Sequence, residues 1–171
     1  DYHAMSQMVR HVICEHGVRK LAYIDGPKEY SDAAKRAQAY RDVLEEEGIP
    51  FDSHWFFRGD YSVEAGIYVV SELDRMHRIP EANDCMAAGA IMELQNRGYR
   101  VPEDIIVTGF DNVPVAKDNS PKITTVDCAR KTMGYRACEY LMTKTAKEIQ
   151  ELCVQIPTTQ IYSESCGCES E

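Results

Sequence analysis

Apolar residues along the chain follow two alternating periods, one typical of helices and the other typical of strands. Helical spacing, often closed by glycine, marks five segments: Met5 to Ile13, SDAAKRAQAYRDVLEEEG, SVEAGIYVVSELDRMH, NDCMAAGAIMELQNRG and ARKTMGYRACEYLMTKTAK. Short β-prone runs mark strands: KLAYIDGP, SHWFFRGD, Asp104 to Thr108, ITTVD and VQIPTTQIYSE. Strands and helices thus alternate with short connections, which predicts an α/β fold of βαβ units, with a mostly parallel sheet and helices on both faces.

Polar residues and glycines predict where these helices begin and end. The predicted N-terminal caps are the Ser/Asp pair at 31–32, Ser62, and Asn83 or Asp84. The predicted stops at the C-terminal ends are Gly17, Gly48 and Gly98.

The stretch VPEDIIVTGFDNV, residues 101–113, places a polar cluster directly behind a buried strand. The strand breaks at Gly109 and is followed by Phe110, Asp111 and Asn112. In open parallel sheets, ligands bind beyond the carboxyl ends of the strands. Asp111 is therefore a candidate to accept hydrogen bonds from hydroxyls or amines, and Phe110 a candidate to cover an apolar face. The alternative is that Asp111 and Asn112 only shape a turn, as these residue types often do.

Composition and charge narrow the range of partners. The 171 residues carry a net charge of −9, from 28 acidic and 19 basic residues, with no long basic run. Phosphate neutralisation needs clustered Lys and Arg, so we expect no nucleic-acid binding by this chain itself. The apolar runs are far shorter than the roughly 20 residues that span a bilayer, and no signal-peptide pattern opens the chain. We therefore expect a cytoplasmic location and no membrane association.

The seven cysteines are scattered through helical and strand patterns, which favours reduced thiols over a disulfide framework. One close pair, Cys166 and Cys168 in SCGC, has the spacing of half a metal or redox site. The sequence offers no second pair with zinc-ligand spacing, and the five histidines form no motif. It also has no nucleophile–base pair and no phosphate-cradling glycine loop. We therefore expect no metal, no cofactor and no catalysis.

Several motifs occur in an order that resembles the ligand-binding domains of the lactose/galactose-repressor (LacI/GalR) family. They are RKLAYIDGP, AAKRAQAYRDVL, RGDYSVEAG, IPEANDCMAAGAI, VPEDIIVTGFDNV, ITTV and SESCGC, and together they span nearly the whole chain. The resemblance implies a type I periplasmic-binding-protein-like fold, in which two hinged α/β lobes hold a small ligand between them.

The resemblance also implies a set of ligand contacts. Arg36 matches an arginine that reaches into the cleft, where its planar fork suits two ligand oxygens; a surface arginine on a helix is the alternative. Tyr61 matches an aromatic residue that stacks on the ligand, with a packing role as the alternative. Asn83 and Asp84 are implied contacts that already have a reason to be there as helix caps. Asp111 matches the aspartate of the family's glycine–aromatic–aspartate loop.

The same resemblance predicts how the chain divides between two lobes. Residues 1–27 are expected to be a remnant of the N-terminal lobe, 28–127 the C-terminal lobe, 128–148 a helix returning to the N-terminal lobe, and 149–171 the final strand of the C-terminal lobe and a tail. The chain then lacks the front of the N-terminal lobe and any DNA-binding head. It also lacks the short apolar strand that the family has between RIPEA and NDCMA, since these motifs are joined directly.

These features predict a small-molecule sensing domain. A sugar-like, nucleobase-like or other small polar effector is expected between the lobes, and lobe closure is expected to bias a two-state arrangement that an output module reads. The intact protein is expected to be a homodimer, with DNA contacted only through a head domain outside this chain or with a signalling domain as output. A solute-binding protein of a transporter is the alternative with the same fold, and an α/β enzyme is a third interpretation.

Overall fold

The computed structural model describes residues 1–73 and 80–169 of the chain. Helices and strands alternate along the chain, as the sequence predicts. The helices are α1 Tyr2–Cys14, α2 Ser31–Glu46, α3 Val63–Leu73, α4 Asp84–Asn96, α5 Pro114–Asp118, α6 Arg130–Thr143 and α7 Ala146–Gln150. The strands are β1 Ala22–Asp25, β2 Phe56–Arg58, β3 Pro80–Glu81, β4 Thr125–Asp127 and β5 Thr159–Ile161, with short 3₁₀ turns at Ser53–Trp55 and Glu164–Cys166.

The first three strands form a parallel sheet in the order β2–β1–β3. β1 lies at the centre, with Tyr23 opposite Phe56 of β2. All four residues of β1 are buried, which is typical of a short apolar strand covered on both faces. The predicted mostly parallel α/β arrangement is therefore present in this part of the chain.

The segment predicted as a strand over Asp104 to Thr108 is extended but irregular. Thr108 alone forms a bridge, a parallel one with Thr124, and its carbonyl accepts a hydrogen bond from the N–H of Ala82 at 3.3 Å. The preceding residue, Val107, pairs with Ser165 in the tail: its N–H donates to the Ser165 carbonyl, and the Ser165 hydroxyl donates to the Val107 carbonyl. A tail residue thus occupies the place of a neighbouring strand, while β4 and β5 form a separate antiparallel pair.

Most of the predicted helix caps and glycine stops are present in the structure. The Ser62 hydroxyl accepts the N–H of Ala65, and Asn83 Oδ1 accepts the N–H of Met86, so two predicted N-terminal caps are confirmed. The predicted stops at Gly17, Gly48 and Gly98 all have positive φ, a conformation that glycine adopts freely. The prediction for α2 is wrong, because its cap is Tyr30, and Ser31 and Asp32 already lie in the first turn. The predicted end of α3, over residues 74–77, lies outside the described residues.

Each face of the sheet packs against a different pair of helices. Ala22 and Ile24 of β1 belong to a buried cluster with residues of α3 and α4. Leu21 and Tyr23, which alternate with them, belong to a second cluster with residues of α1 and α2. The Tyr40 hydroxyl in α2 donates a hydrogen bond to the Leu21 carbonyl and anchors this second layer. Successive side chains of a strand point to opposite faces of the sheet. The sheet therefore forms the middle layer between α1 and α2 on one face and α3 and α4 on the other.

The sheet joins residues on both sides of the expected boundary at residue 27. β1 pairs with β2 and β3, and α1 packs on α2, so the expected boundary does not fall between two sheets or two cores. A strand does precede Asn83, in contrast to the expectation from the sequence. This strand, β3, is only two residues long, and the Ala82 N–H continues the pairing towards Thr108.

Candidate functional site

The buried arginine of α2, Arg36, lies at the carboxyl edge of the parallel sheet. It is 9% exposed, and its guanidinium carbon lies 4.7 Å from the centre of the Phe110 ring. Nη2 of Arg36 donates to the Tyr61 hydroxyl at 3.3 Å, and Nε donates to the carbonyl of Asp32 at 3.4 Å. Within the described part of the chain, no carboxylate lies within ion-pair distance of this guanidinium. Arg36 is therefore a buried cation held by a ring and by two neutral oxygens.

Tyr61 lies over the end of β1. A Cβ built on Gly26, the first residue after β1, would overlap the Tyr61 hydroxyl, so a larger residue here would displace the Tyr61 ring from this position. Tyr61 itself has φ of 68°, a left-handed conformation that costs energy for a side chain of this size. Burial raises the pKa of Tyr61 and outweighs the opposing effect of Arg36, so its hydroxyl stays protonated and can donate a hydrogen bond.

The Asp111–Asn112 turn is held in an unusual backbone conformation next to this pair. Asp111 has φ of 98° and Asn112 has φ of 50°. The N–H of Asp111 donates to the Val126 carbonyl, and Asn112 Nδ2 donates to Asp127 Oδ2 at 3.1 Å. Left-handed non-glycine residues that the surrounding structure fixes in this way are concentrated at ligand-binding and active sites.

The carboxylate of Asp111 faces the thiol of Cys128, with Sγ 3.7 Å from Oδ1. Burial and the nearby Asp111 charge raise the pKa of Cys128 to about 11, so the thiol stays protonated. Asp111 is half-buried.

Of the two predicted contacts at the start of α4, Asp84 uses both carboxylate oxygens inside the protein, and Asn83 uses its amide oxygen. Asp84 is fully buried; its Oδ1 accepts from the Thr125 hydroxyl at 2.6 Å, and its Oδ2 accepts from the N–H of Val113 at 2.8 Å. Burial raises the pKa of Asp84 to about 6. Asn83, which is half-buried, caps α4 through Oδ1. Asp84 thus ties α4 to β4 and the 108–113 loop, and it presents no free oxygen to a ligand.

Phe110 lies in the core and not over a ligand site, in contrast to the prediction from the sequence. The sequence suggests a ring that covers a ligand, but Phe110 is 1% exposed and belongs to the core formed with α1 and α2. Its ring instead supports the Arg36 guanidinium, a cation–π contact that holds the cation at the edge of the sheet. Alternation explains the difference, since Phe110 and the inward-facing Ile106 pack on the same layer.

Sequence reasoning missed Asp25, the last residue of β1. Its Oδ2 pairs with Arg58 Nη1 at 2.9 Å, and the same nitrogen donates to the Gly26 carbonyl at 2.8 Å. Oδ1 of Asp25 is buried and has no hydrogen-bond partner in the described part of the chain. Burial raises the pKa of Asp25 against the opposing effect of Arg58. The signal was present, because Asp25 ends a buried apolar strand and is followed directly by Gly26, just as Asp111 lies next to the glycine-ended run at 104–109.

In open parallel α/β sheets, ligands bind beyond the carboxyl ends of the strands, and in this chain polar side chains converge at that edge. Residues 9–166 match the family described as "Periplasmic binding protein-like domain", and the chain belongs to this family. The LacI/GalR-type resemblance and the fold class predicted from the sequence are thereby confirmed.

The relatives of the chain are transcriptional regulators. The "HTH-type transcriptional repressor PurR" of Vibrio atlanticus is 31% identical over 134 residues, which are 76% of this chain and 40% of the relative. The structure of the "transcriptional regulator CelR-cellobiose complex" matches with a TM-score of 0.82 and 28% identity, over 96% of this chain and 51% of that one. The structure of the transcription regulator CcpA of Lactococcus lactis matches with a TM-score of 0.84 and 26% identity, over 96% and 62%.

The chain spans 40% of the length of the Vibrio atlanticus relative, so the activity of a whole regulator extends beyond the residues seen here. The relatives are repressors and regulators, not enzymes, which agrees with the prediction that the chain is not an enzyme. No helix in the described residues is both long and apolar enough to cross a membrane.

Proposed function

We propose that this chain is the effector-sensing part of a LacI/GalR-type transcriptional regulator, and that it binds a small polar molecule at the carboxyl edge of its sheet. The observation that carries the proposal is Arg36, a buried arginine with no carboxylate partner in the described residues. A buried charge is costly unless it is paired and hydrogen-bonded. The oxygens of a bound ligand would supply the missing partner.

The neighbouring groups indicate the chemistry of that ligand. Arg36 offers a planar fork of N–H donors, which suits two adjacent oxygens. The Tyr61 hydroxyl and the Asp111 carboxylate add a donor and an acceptor, and the amide of Asn83 lies at the start of α4 near the same edge. Such a set fits a molecule with several hydroxyl or amide groups, such as a sugar or a nucleobase-like compound. The complex of CelR with cellobiose supports a sugar.

Helix α6 has apolar side chains that no other part of the described chain covers. No residue of α6 is buried, and Met133, Tyr135, Leu141 and Met142 are 42 to 86% exposed. We infer that this apolar surface packs against the other lobe of the sensor, as expected for residues 128–148. The full-length protein is then a cytoplasmic homodimer that contacts DNA through a separate head domain. A transporter-linked solute-binding protein is not favoured, since the relatives are transcriptional regulators.

Ligand screening with an Arg36 variant tests the proposal. A thermal-shift screen of the full-length protein over sugars, nucleosides and amino acids is expected to yield polar ligands that raise the melting temperature by mass action. For the best ligand, Arg36→Ala is expected to weaken binding about tenfold to a hundredfold, because it removes a charged hydrogen-bond donor. Titration calorimetry measures the change.

Arg41→Ala is the matched control for Arg36→Ala. Arg41 lies on the same helix and also stacks on aromatic rings, 4.6 Å from the centre of Phe56, but it is exposed. Its loss is expected to leave affinity unchanged. Equal affinity for the wild type and Arg36→Ala, or hits confined to hydrophobic compounds, would refute the proposed site.

Asp111→Asn separates a ligand contact from a turn residue. Asparagine tolerates the left-handed conformation of this position, so the backbone and the free energy of unfolding are expected to change little. Loss of the charged acceptor is expected to weaken ligand binding by about tenfold. Calorimetric titration and a denaturant melt on the same variant measure both quantities. Unchanged affinity together with lower stability would assign Asp111 to the turn alone.

A further inference from the structure

Four side chains from opposite ends of the chain converge on one point away from the carboxyl edge of the sheet. His11 lies near the end of α1 and His16 in the turn that follows it, while Cys166 and Cys168 lie in the tail. One potential ligand atom from each, a ring nitrogen or a thiol sulfur, lies within 4.8 Å of all the others. The sequence supplied only the cysteine pair as half of a site, and the fold brings the two histidines to it.

Three of the separations within this cluster match those of a four-coordinate metal centre. Nε2 of His11 lies 3.1 Å from Nε2 of His16. Sγ of Cys168 lies 3.6 Å from each of these two nitrogens. Sγ of Cys166 lies 3.8 Å from Nε2 of His11. Bonds of about 2.3 Å to sulfur and about 2.0–2.1 Å to nitrogen, in a tetrahedron, place ligand atoms roughly 3.3–3.8 Å apart. The three sulfur–nitrogen separations fall in this range, the nitrogen–nitrogen separation is slightly shorter, and no two of the four atoms are more than 4.8 Å apart. Small side-chain movements would bring all four atoms to tetrahedral distances.

The local backbone points these groups toward one another. Gly167, between the two cysteines, has φ of 91°, a left-handed conformation that turns the tail and brings both sulfurs to the same side. Gly17, with φ of 67°, ends the α1 region directly after His16. The Tyr162 ring stacks on the His11 ring, with the centres 3.9 Å apart. These features fix the directions of the side chains before any ion is bound.

The surroundings of Cys166 suit a sulfur ligand. Cys166 is 1% exposed, and the Thr124 hydroxyl donates a hydrogen bond to its sulfur at 3.0 Å. Such a bond orients a ligand sulfur and stabilises its charge. His11, His16 and Cys168 are half-buried, so the cluster lies at the boundary between the interior and the solvent.

We propose that His11, His16, Cys166 and Cys168 form a structural Zn²⁺ site that ties α1 to the C-terminal tail. Two sulfurs and two nitrogens in a tetrahedron are the ligand set and geometry that select zinc among common metals. All four positions are filled by protein, so the site is closed and its role is structural. It joins residues up to 157 positions apart in the chain, and it holds in place the tail segment that pairs with Val107.

Metal analysis of untagged protein tests this site. The full chain, purified without chelators, is expected to contain about one zinc ion per molecule by elemental mass spectrometry. Replacing zinc with Co²⁺ is expected to give the intense visible bands of a tetrahedral ion and a sulfur-to-cobalt charge-transfer band. Cys168→Ser and His16→Gln each remove one ligand at a half-buried position, so folding is expected to survive. Each is expected to weaken zinc binding about a hundredfold or more, measured against a chromophoric chelator.

The control variants are Cys138→Ser and His3→Gln, which change exposed residues outside the cluster. Both are expected to retain the zinc content and the cobalt spectrum of the parent chain. The proposal is overturned if the parent chain binds no zinc in the chelator competition, or if Cys168→Ser binds it as tightly as the parent. It is also overturned if thiol titration under native conditions shows Cys166 and Cys168 joined in a disulfide, because both sulfurs are then unavailable to a metal.

Discussion

Replacing Gly89 with alanine is expected to lower the free energy of unfolding by about 3 kcal/mol or more. Gly89 lies in α4 against the backbone of α3, and a Cβ built on it would overlap the carbonyl oxygen of Val63. The contact is reciprocal, since a Cβ on Gly66 of α3 would overlap the Met86 carbonyl of α4. Both obstacles are backbone atoms that no rotamer change can move, so the helices themselves must separate.

Gly134→Ala in α6 is the matched control. It is the same substitution within a helix, but nothing lies within 4 Å of the added Cβ. Alanine is the better helix former, and this variant is expected to gain about 0.5–1 kcal/mol. Denaturant melts of both variants and of the wild type give the comparison. If Gly89→Ala also gained stability, helix propensity would outweigh the close contact, and α3 and α4 would not be packed as tightly as described.

The order of elements was predictable because it depends on local patterns. The continuous apolar run of β1, whose side chains alternate between the two faces, and the helical spacing along α1 to α4 are encoded within each segment. They specify the layers without knowledge of distant partners. The caps at Ser62 and Asn83 were predictable for the same reason, since a cap bonds to a backbone group only three residues away.

The features that escaped prediction depend on contacts between distant segments. The regular strand expected over Asp104 to Thr108 is replaced by pairing with Ser165, 58 positions away from Val107. Gly66 and Gly89 look like ordinary helix interruptions until the two helices are placed together. The His11 and Cys168 pairing is invisible to any spacing rule, because motif rules describe ligands that are close in sequence.

Some residues of the candidate site could be predicted from the sequence, and the roles of others depend on distant contacts. Arg36 and Tyr61 were named through the family resemblance, and Asp111 through the strand-end pattern as well as the resemblance. The structure places Arg36 and Tyr61 in hydrogen-bond contact. Phe110 and Asp84 were also named, yet both are buried and act on other protein groups. A resemblance transfers the position of a residue, but whether its side chain reaches solvent depends on packing by the whole fold. The ligand contacts themselves remain predictions.

The wild-type chain is expected to become less stable relative to Asp84→Asn as the pH rises from about 4 to about 7. Burial raises the pKa of Asp84 from 3.8 to about 6, so within this range the folded state binds a proton that the unfolded state has released. Stability therefore falls as pH rises through the window. The difference between the two pKa values corresponds to a loss of about 3 kcal/mol at most in the free energy of unfolding.

The asparagine introduced by Asp84→Asn would not be strained, because an amide is isosteric with the protonated carboxyl. Its oxygen can accept the N–H of Val113 and its nitrogen can donate to the Thr125 hydroxyl, which are the two groups that Asp84 contacts. Denaturant melts of the wild type and of Asp84→Asn across the window give the difference, and the other carboxylates contribute equally to both chains. Asp104→Asn is the control: hydrogen bonding to Arg100 lowers the pKa of Asp104 from 3.8 to about 2. Its contribution is constant above about pH 5, and its small change near pH 4 is a gain in stability as the pH rises, opposite in sign to that of Asp84.

The opposite outcome has a definite physical meaning. Asp84 is the first residue of α4, where the helix dipole favours a negative charge, and it accepts two short hydrogen bonds. If these stabilise the carboxylate more than burial destabilises it, the wild type will gain stability relative to Asp84→Asn as the pH rises. We expect burial to prevail, because among the described residues no cation forms an ion pair with Asp84, and two hydrogen bonds from neutral donors replace only part of the hydration that a fully buried carboxylate loses.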